Sequence, residues 1–197
     1  MKVITAPEEY EREQDDVFCF LAGGISNCPD WQQEVIKELG KADFEHLIVF
    51  NPRRESFPIN DENAAKEQIE WEFKYLEEAD IFSIYFCASE SDQPICMYEL
   101  GRNLALINKK YSSPYDVDHI VVSVEDGYKR KNDVNIQTNL ALKRDWFAEL
   151  NATPKIHAAE IGLSYICCYT AFNTGRSAKF GEELDKIKAA GLDRLGE

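Results

Sequence analysis

The chain has 197 residues, 44% of them apolar, and a formal net charge of −14. This size allows one well-buried core and is too small for two ordinary domains, so we expect a single domain over residues 1–197 that starts with an acidic extension, residues 1–16. The acidic composition argues against a nucleic-acid polymer or an anionic membrane as partner. Since the acidic stretch Glu8 to Asp16 is unlike a signal peptide and no apolar run is long enough to span a membrane, we expect a cytoplasmic protein.

Strand-like and helix-like segments alternate along the chain. A continuous apolar run, Val17 to Ala22, ends in two glycines and predicts a first buried strand followed by a tight turn. We expect surface insertions at Lys109 to Asp118 and at Asn151 to Ile161. The remaining predicted elements are, in chain order, helix Pro29 to Leu39, strand His46 to Phe50, helix Asp61 to Glu78, strand Ile81 to Phe86, a helix that carries Glu99 and ends near Ile107, strand His119 to Val124, helix Val134 to Leu150, strand Tyr165 to Tyr169 and helix Ser177 to Ala190.

This alternation predicts an α/β fold, namely a flavodoxin-like, doubly wound sheet of five mostly parallel strands with flanking helices. Such sheets hold their ligands at the carboxyl ends of the strands, where the strand order reverses. We therefore expect a site where the loops of the first and third predicted strands meet, which are Gly23 to Asn27 and Cys87 to Gln93.

The cysteines and histidines give no metal-binding pattern. The chain has six cysteines without CxxC or CxxH spacing and three isolated histidines. Buried free thiols are the better interpretation, and we expect neither a metal site nor a cofactor. The residues concerned are Cys19, Cys28, Cys87, Cys96, Cys167, Cys168, His46, His119 and His157.

Glu99 lies in the segment Met97 to Arg102, which opens an apolar helical run after a polar loop. The free N–H groups near a helix start favour an ionised carboxylate, and such a group in a small pocket can attack the anomeric carbon of a sugar. The alternative is a Glu99 that caps its helix or faces solvent. Gly101, which leaves room for a close approach to the helix, favours the first interpretation.

Glu72 precedes the third predicted strand on a helix with Ile69, Phe73 and Leu76 as its expected apolar stripe. At the margin of a buried face a carboxyl group is partly desolvated, which raises its pKa and suits it to donate a proton. The alternative is a solvated helix edge, as is common in a chain with 36 acidic residues.

Three sets of residues resemble the nucleoside 2-deoxyribosyltransferases and the related deoxynucleoside 5′-monophosphate N-glycosidases. They are Phe20 to Ile25 at the end of the first strand, Glu72 eight residues before Asp80, and Tyr98 to Arg102. The sequences Asn51-Pro52-Arg53-Arg54, Tyr128-Lys129-Arg130 and Asp133 to Gln137 resemble the transferase-like branch of that superfamily. The resemblance covers about Val17 to Leu142 and identifies the chain as a nucleoside deoxyribosyltransferase-like domain.

The resemblance implies a role for each matching residue. Glu99 matches the nucleophile that forms a glycosyl-enzyme ester, and Glu72 stands where the family has an aspartate that exchanges a proton with the base. Asp80 matches a structural aspartate. The implied substrate-binding residues are Phe20, Gly23, Gly24 and Ile25, then Asp92 and Gln93 in a loop near the sugar or its 5′ substituent, and Asn135, which resembles an asparagine lent to a neighbouring subunit.

The chain departs from the family at three positions. Phe20 replaces a tyrosine that orients the nucleophile, and Glu72 is one methylene longer than the usual aspartate. Ser26 stands where the monophosphate glycosidases have an arginine, so recognition of a phosphate would need Arg53, Arg54 or Arg130.

The expected function is cleavage, with transfer, of the N-glycosidic bond of a nucleoside or 2-deoxynucleoside through a glycosyl-enzyme intermediate on Glu99. The substrate is a small-molecule nucleoside or nucleotide, and the resemblance implies a homo-oligomer, a dimer or higher, in nucleotide salvage. Two alternatives remain open from the sequence. One is a nucleoside or nucleotide N-glycosidase with water as acceptor, and the other is a nucleotide-binding sensor whose catalysis has lapsed, as Phe20 and Glu72 would allow.

Overall fold

The computed structural model describes residues 1–110, 119–143, 150, 152–172 and 176–192. Within these ranges five strands and six helices follow one another along the chain. In order they are β1 (Lys2–Thr5), β2 (Val17–Gly23), α1 (Trp31–Leu39), β3 (Leu47–Asn51), α2 (Ala64–Glu78), β4 (Ile81–Phe86), α3 (Pro94–Lys110), β5 (Ile120–Val124), α4 (Lys131–Ala141), α5 (Pro154–Phe172) and α6 (Arg176–Ala189).

The five strands form one parallel sheet in the order β1-β3-β2-β4-β5. From β2 the chain crosses to β3 on one side and then returns past β2 to β4 on the other side. The order of the strands therefore reverses between β2 and β4, which defines the switch point of the sheet. The predicted α/β, flavodoxin-like sheet is confirmed.

One strand of the sheet, however, differs from the prediction. It is β1, at the N-terminal end of the chain, and not the predicted C-terminal strand. Tyr165 to Tyr169, predicted as a strand, lies inside α5, and most of the predicted insertion Asn151 to Ile161 is the first part of that helix. These expectations were wrong because α5 is apolar on nearly all sides, so its central run has no helical period and cannot be distinguished from a buried strand. Tyr165, Ile166 and Cys168 are buried against the sheet.

The first residues form the edge strand β1 and are not merely an acidic extension. Ile4 pairs with Phe50 of β3 and is fully buried. Asp80, at the start of β4, accepts hydrogen bonds from Arg12 and from the backbone of Phe18, both at 2.8 Å, and so ties the acidic segment to the sheet. This structural role for Asp80 agrees with the family resemblance.

The remaining predicted elements differ mainly at their ends. Helix α4 begins at Lys131 and ends at Ala141, where Val134 to Leu150 was predicted, and residues 144–149 lie outside the described part. The predicted insertion at Lys109 to Asp118 also falls outside it, apart from its first two residues, which end α3.

The sheet separates two apolar cores, since successive strand residues point to opposite faces. On one face α2, α3 and α4 cover Phe18, Phe20 and Ala22 of β2. On the other face α1, α5 and α6 cover Val17, Cys19 and Leu21. The second core contains a buried polar cluster in which His157 of α5 bonds Ser83 of β4 through Nε2 and Ser123 of β5 through Nδ1, at 2.7 and 2.8 Å. We call these three residues the His157 cluster.

None of the helices within the described residues is long and apolar enough to cross a membrane.

Candidate active site

A pocket opens at the switch point, where the carboxyl ends of β2 and β4 meet the first turns of α3 and one side of α2. Its volume of about 290 Å³ lies at the small end of the range of roughly 300–1,000 Å³ typical of ligand pockets. The structure brings seven of the predicted site residues to its wall, namely Phe20, Gly23, Gly24, Ile25, Glu72, Gln93 and Glu99.

The loop between β2 and α1 needs its glycines for close packing. Gly23 has a φ of +148°, and a Cβ there would lie 2.4 Å from the carbonyl oxygen of Tyr85 and 2.5 Å from the ring of Trp31. The next residue, Gly24, accepts a hydrogen bond of 2.9 Å from the indole N–H of Trp31. The double glycine thus allows the loop to lie directly on the side chains below it.

Arg53 holds the same loop from its outer side. Its guanidinium donates to the carbonyl oxygens of Ile25, Cys28 and Pro29, at 3.0, 2.8 and 2.6 Å, and to Oε1 of Gln32 at 3.0 Å. The sequence offered Arg53 as a possible phosphate ligand. The structure instead assigns its hydrogen bonds to the protein itself.

The other two candidate phosphate ligands are also engaged elsewhere. Arg54 donates to Gln68 and Glu67, and Arg130 pairs with Asp133 on the surface at 3.0 Å. Among the described residues, no lysine, arginine or histidine lines the pocket. A phosphate would therefore meet two carboxyl groups there and no side-chain cation.

Gln93 contributes a buried acceptor to the pocket. The residue is 3% exposed and has a φ of +48°. Its Nε2 donates to the carbonyl oxygen of Cys87 at 2.7 Å, while its Oε1 is buried without a hydrogen bond to any described residue. Because buried acceptors are normally paired, Oε1 is suited to an N–H or O–H of a ligand.

Glu99 projects into the pocket from the second turn of α3 and is half-buried. Its carboxyl group accepts no hydrogen bond from the described residues. Burial, followed by the nearby Glu72, raises the pKa of Glu99 to about 8, while Arg102 opposes the shift. The expectation that the helix start favours an ionised Glu99 was wrong, because α3 begins at Pro94 and Glu99 lies beyond its free N–H groups.

Glu72 faces Glu99 from α2. Burial raises the pKa of Glu72 above its ordinary value, and the hydrogen bond from Gln68 and the charge of Arg54 oppose this shift. The raised pKa of Glu72 agrees with the sequence analysis. The apolar stripe expected on this helix, however, differs from the buried face that the structure shows. Ile69 and Phe73 are exposed, whereas Trp71, Tyr75 and Leu76 are buried.

Two predicted site residues lie outside the pocket wall. Asp92 is exposed and lies 3.5 Å from Lys129, and its backbone carbonyl accepts a hydrogen bond of 3.0 Å from Tyr128. Asn135 lies on α4, and its Oδ1 is buried without a hydrogen bond to any described residue. The pocket of a single chain therefore forms without either residue.

Fold and site together define a class: a flavodoxin-like α/β protein with two interacting carboxyl groups in a ligand pocket at the switch point. No group of three or more His, Cys, Asp or Glu within the described ranges is placed to hold a metal ion.

The family model described as "Nucleoside 2-deoxyribosyltransferase like" matches residues 16–111, from the start of β2 to the end of α3. The matched region carries Glu72 and Glu99 and supports the superfamily that the motifs resemble, so the predicted resemblance is confirmed. The family is an enzyme family. Among curated proteins, none matches the chain.

Proposed function

We propose that the protein cleaves the N-glycosidic bond of a 2-deoxynucleoside and transfers the sugar to a second base through an ester on Glu99. The observation that supports this best is the convergence of Glu99 and Glu72 from two helices on one small pocket, where the charge of Glu72 contributes to the raised pKa of Glu99. Cleavage of this bond passes through an oxocarbenium-like state. One carboxylate must trap the cation, while a second acid delivers a proton to the departing base.

An unphosphorylated nucleoside is the substrate class that fits the pocket. The negative charge of the pocket acids repels a phosphate, and no side-chain cation among the described residues lines the pocket to offset it. The free acceptor on Gln93 suits a hydroxyl of the sugar or an N–H of the base. A cytoplasmic role in nucleotide salvage is the setting that this reaction implies.

The test is incubation with 2-deoxynucleosides, with and without a second free base, followed by chromatography. Exchange of the base supports a transferase, and release of free deoxyribose without exchange supports a hydrolase instead. A parallel set with deoxynucleoside 5′-monophosphates should react more slowly than the nucleosides. If a broad panel shows binding without turnover, the protein is a sensor and the proposal is wrong.

We also propose that the working form is a homo-oligomer in which Asn135 of one subunit completes the pocket of another. The family resemblance of Asn135 supports this. The same side of the molecule exposes large apolar side chains on α3 and α4, namely Ile95, Tyr98, Ile136 and Leu140.

Mixing inactive Glu99→Ala subunits with inactive Asn135→Ala subunits, after reversible dissociation, tests this arrangement. Some mixed oligomers would contain one pocket with both native residues, so activity should reappear. A monomer in sedimentation, or no recovery despite demonstrated subunit exchange, would refute the shared site.

A further inference from the structure

Gln68 is held in one orientation directly behind Glu72. Its Oε1 accepts from Nε of Arg54 at 2.6 Å, and its Nε2 donates to the carbonyl oxygen of Pro52 at 2.8 Å and to Oε1 of Glu72 at 2.7 Å. Reversing the amide would place its NH₂ group against the Arg54 donor and its oxygen against two acceptors. Glu72 therefore always receives an N–H, and a hydrogen bond of this kind favours the carboxylate.

Arg54 is itself fixed. Its Nη2 pairs with Glu67 at 2.9 Å, and its guanidinium lies 5.7 Å from the ring centre of Phe57. The arginine side chain is only 9% exposed, so little solvent screens its charge from the pocket. Among the described residues, the charged groups that face Glu72 are thus Arg54, from the segment after β3, and Glu99, from α3.

Glu99 has the opposite surroundings. Phe20, which stands where the family resemblance implies a tyrosine, lines the pocket without a hydroxyl, and Cys96 lines it too. Arg102, the cation whose charge opposes the shift of Glu99, donates to Glu77 at 2.6 Å, and its guanidinium lies 4.3 Å from the ring centre of Phe73. Burial without a donor favours the neutral acid.

We propose that Gln68, oriented by Arg54, keeps Glu72 as the carboxylate, so that the one proton shared by the two pocket acids rests on Glu99 when the pocket is free. This inference makes Gln68 and Arg54 positioning residues and rests on the proposed function for its catalytic meaning. In the free pocket Glu99 is then a neutral acid and cannot act as a nucleophile. The proton leaves Glu99 only after the substrate has bound.

The reaction balances with that single proton. Glu72 takes the proton from the Glu99 carboxyl group and passes it to a ring nitrogen of the base. The electron pair of the C1′–N bond goes to the glycosidic nitrogen, and the freed Glu99 oxygen bonds to C1′. The products are the neutral free base, which carries the transferred proton, the sugar ester of Glu99 and an ionised Glu72, so no proton from solvent is required.

Rates alone do not locate the proton, because a proton on either carboxyl group gives the same total charge and the same pH profile. We therefore choose ¹³C NMR of the full chain labelled at the glutamate side-chain carboxyl carbons, with signals assigned by Glu72→Gln and Glu99→Gln. The proposal expects Glu99 to titrate at higher pH than Glu72. The reverse order would overturn it.

Gln68→Leu and Arg54→Met should both move the Glu72 midpoint to higher pH and the Glu99 midpoint to lower pH. Arg54→Lys, which keeps the charge, should restore part of the Arg54→Met shift. The control is Lys66→Met, which removes a cation from the exposed side of the same helix and should leave both midpoints in place. Unchanged midpoints in Gln68→Leu would contradict the proposal even if that variant turns over slowly.

The titration and the turnover assay separate two kinds of failure. If the titration midpoints of Glu72 and Glu99 are as expected but no nucleoside reacts, the proposed position of the proton is supported and the proposed function is refuted. If nucleosides react but Glu72 holds the proton, the proposed function is supported and the proposed role of Gln68 is refuted. In an active protein we expect Gln68→Leu to lower kcat about tenfold, with a smaller effect on KM.

Discussion

The His157 cluster is buried and the two pocket acids are half-buried, and these two ionisable sites differ in how their polar groups are paired. Both nitrogens of His157 have a serine partner, whereas the Glu99 carboxyl group has no hydrogen bond from the described residues. Burial favours the neutral form in each case: it lowers the pKa of His157 to about 3 and raises that of Glu99 to about 8. The imidazole of His157, which lies in the core, has all its hydrogen-bond partners, whereas the carboxyl group of Glu99, which faces the ligand pocket, has none among the described residues.

The largest expected effect comes from removing the unsatisfied acid. Glu99→Ala and Glu99→Gln should lower turnover by about a thousandfold or more, because binding alone does not replace a covalent nucleophile. Chromatography of the products measures the loss, and circular dichroism should be unchanged. Mass spectrometry of native protein quenched with substrate should find a deoxyribosyl adduct on the peptide that contains Glu99. Near-normal activity of Glu99→Ala would remove the basis of the mechanism.

Glu72→Gln should cost less, about 100-fold or more, which is the usual range for loss of general acid catalysis. The loss should be greatest for nucleosides whose base is a poor leaving group, and one limb of the pH–rate profile should disappear. Steady-state rates over a series of bases provide the measurement. An equal loss for good and poor leaving groups would assign Glu72 a structural role.

The same comparison predicts stability changes of opposite sign. Replacing His157 by Leu leaves Ser83 and Ser123 unpaired and should lower the free energy of unfolding by about 2–4 kcal/mol. Replacing Glu99 by Gln should instead raise the stability measured at pH 8. Between pH 4.5 and about 8 the folded protein keeps a proton on Glu99 that the unfolded chain has lost, so its contribution to stability falls as the pH rises.

Urea unfolding at several pH values measures both changes. The pKa of His157 is depressed on folding, so its contribution is full above pH 6.5 and is lost as the pH falls from there towards 3. His157→Gln should therefore unfold with a weaker pH dependence than the native chain between pH 6.5 and 4. Equal slopes would show that His157 is not neutral in the core.

The smallest effect is expected from giving Glu99 a partner. Phe20→Tyr adds a hydroxyl at the pocket wall, which should lower the pKa of Glu99 because a donor favours the carboxylate. The basic limb of the pH–rate profile should move to lower pH, with a change of only a few-fold in the maximum rate. Phe20→Leu is the matched control, since it lacks the hydroxyl and should leave the limb in place.

The sequence predicted the structure best in segments with a clear apolar pattern or a recognisable motif. The central strands β2, β3 and β4 are continuous apolar runs between turn residues, and their predicted positions hold within about one residue. The end of β2 and the segment around Glu99 were recognisable as motifs. β1 was missed because four residues carry too little pattern, and α5 was misread because an apolar helix has no visible period.

The hydrogen bonds behind the pocket were not predictable in the same way. The spacing of Gln68 and Glu72 by four residues on one helix is visible in the sequence. That Arg54 orients the amide of Gln68, and that Arg53 is fully used by the β2–α1 loop, depends on contacts between segments distant in the chain. The raised pKa of Glu99 depends on how deeply the first turns of α3 sit against β2, which composition does not reveal.

Trp31 gives the protein an optical signal for the state of its loop. The indole N–H bonds Gly24 at the pocket wall, and the ring stacks on Tyr85 with centroids 5.1 Å apart. The emission of an indole changes when this hydrogen bond or this stacking changes, so a ligand that displaces the glycine loop alters the native fluorescence. Unlabelled nucleosides can then be titrated by their effect on emission, with Trp31→Phe as the blank, at protein concentrations well below those needed for chromatography.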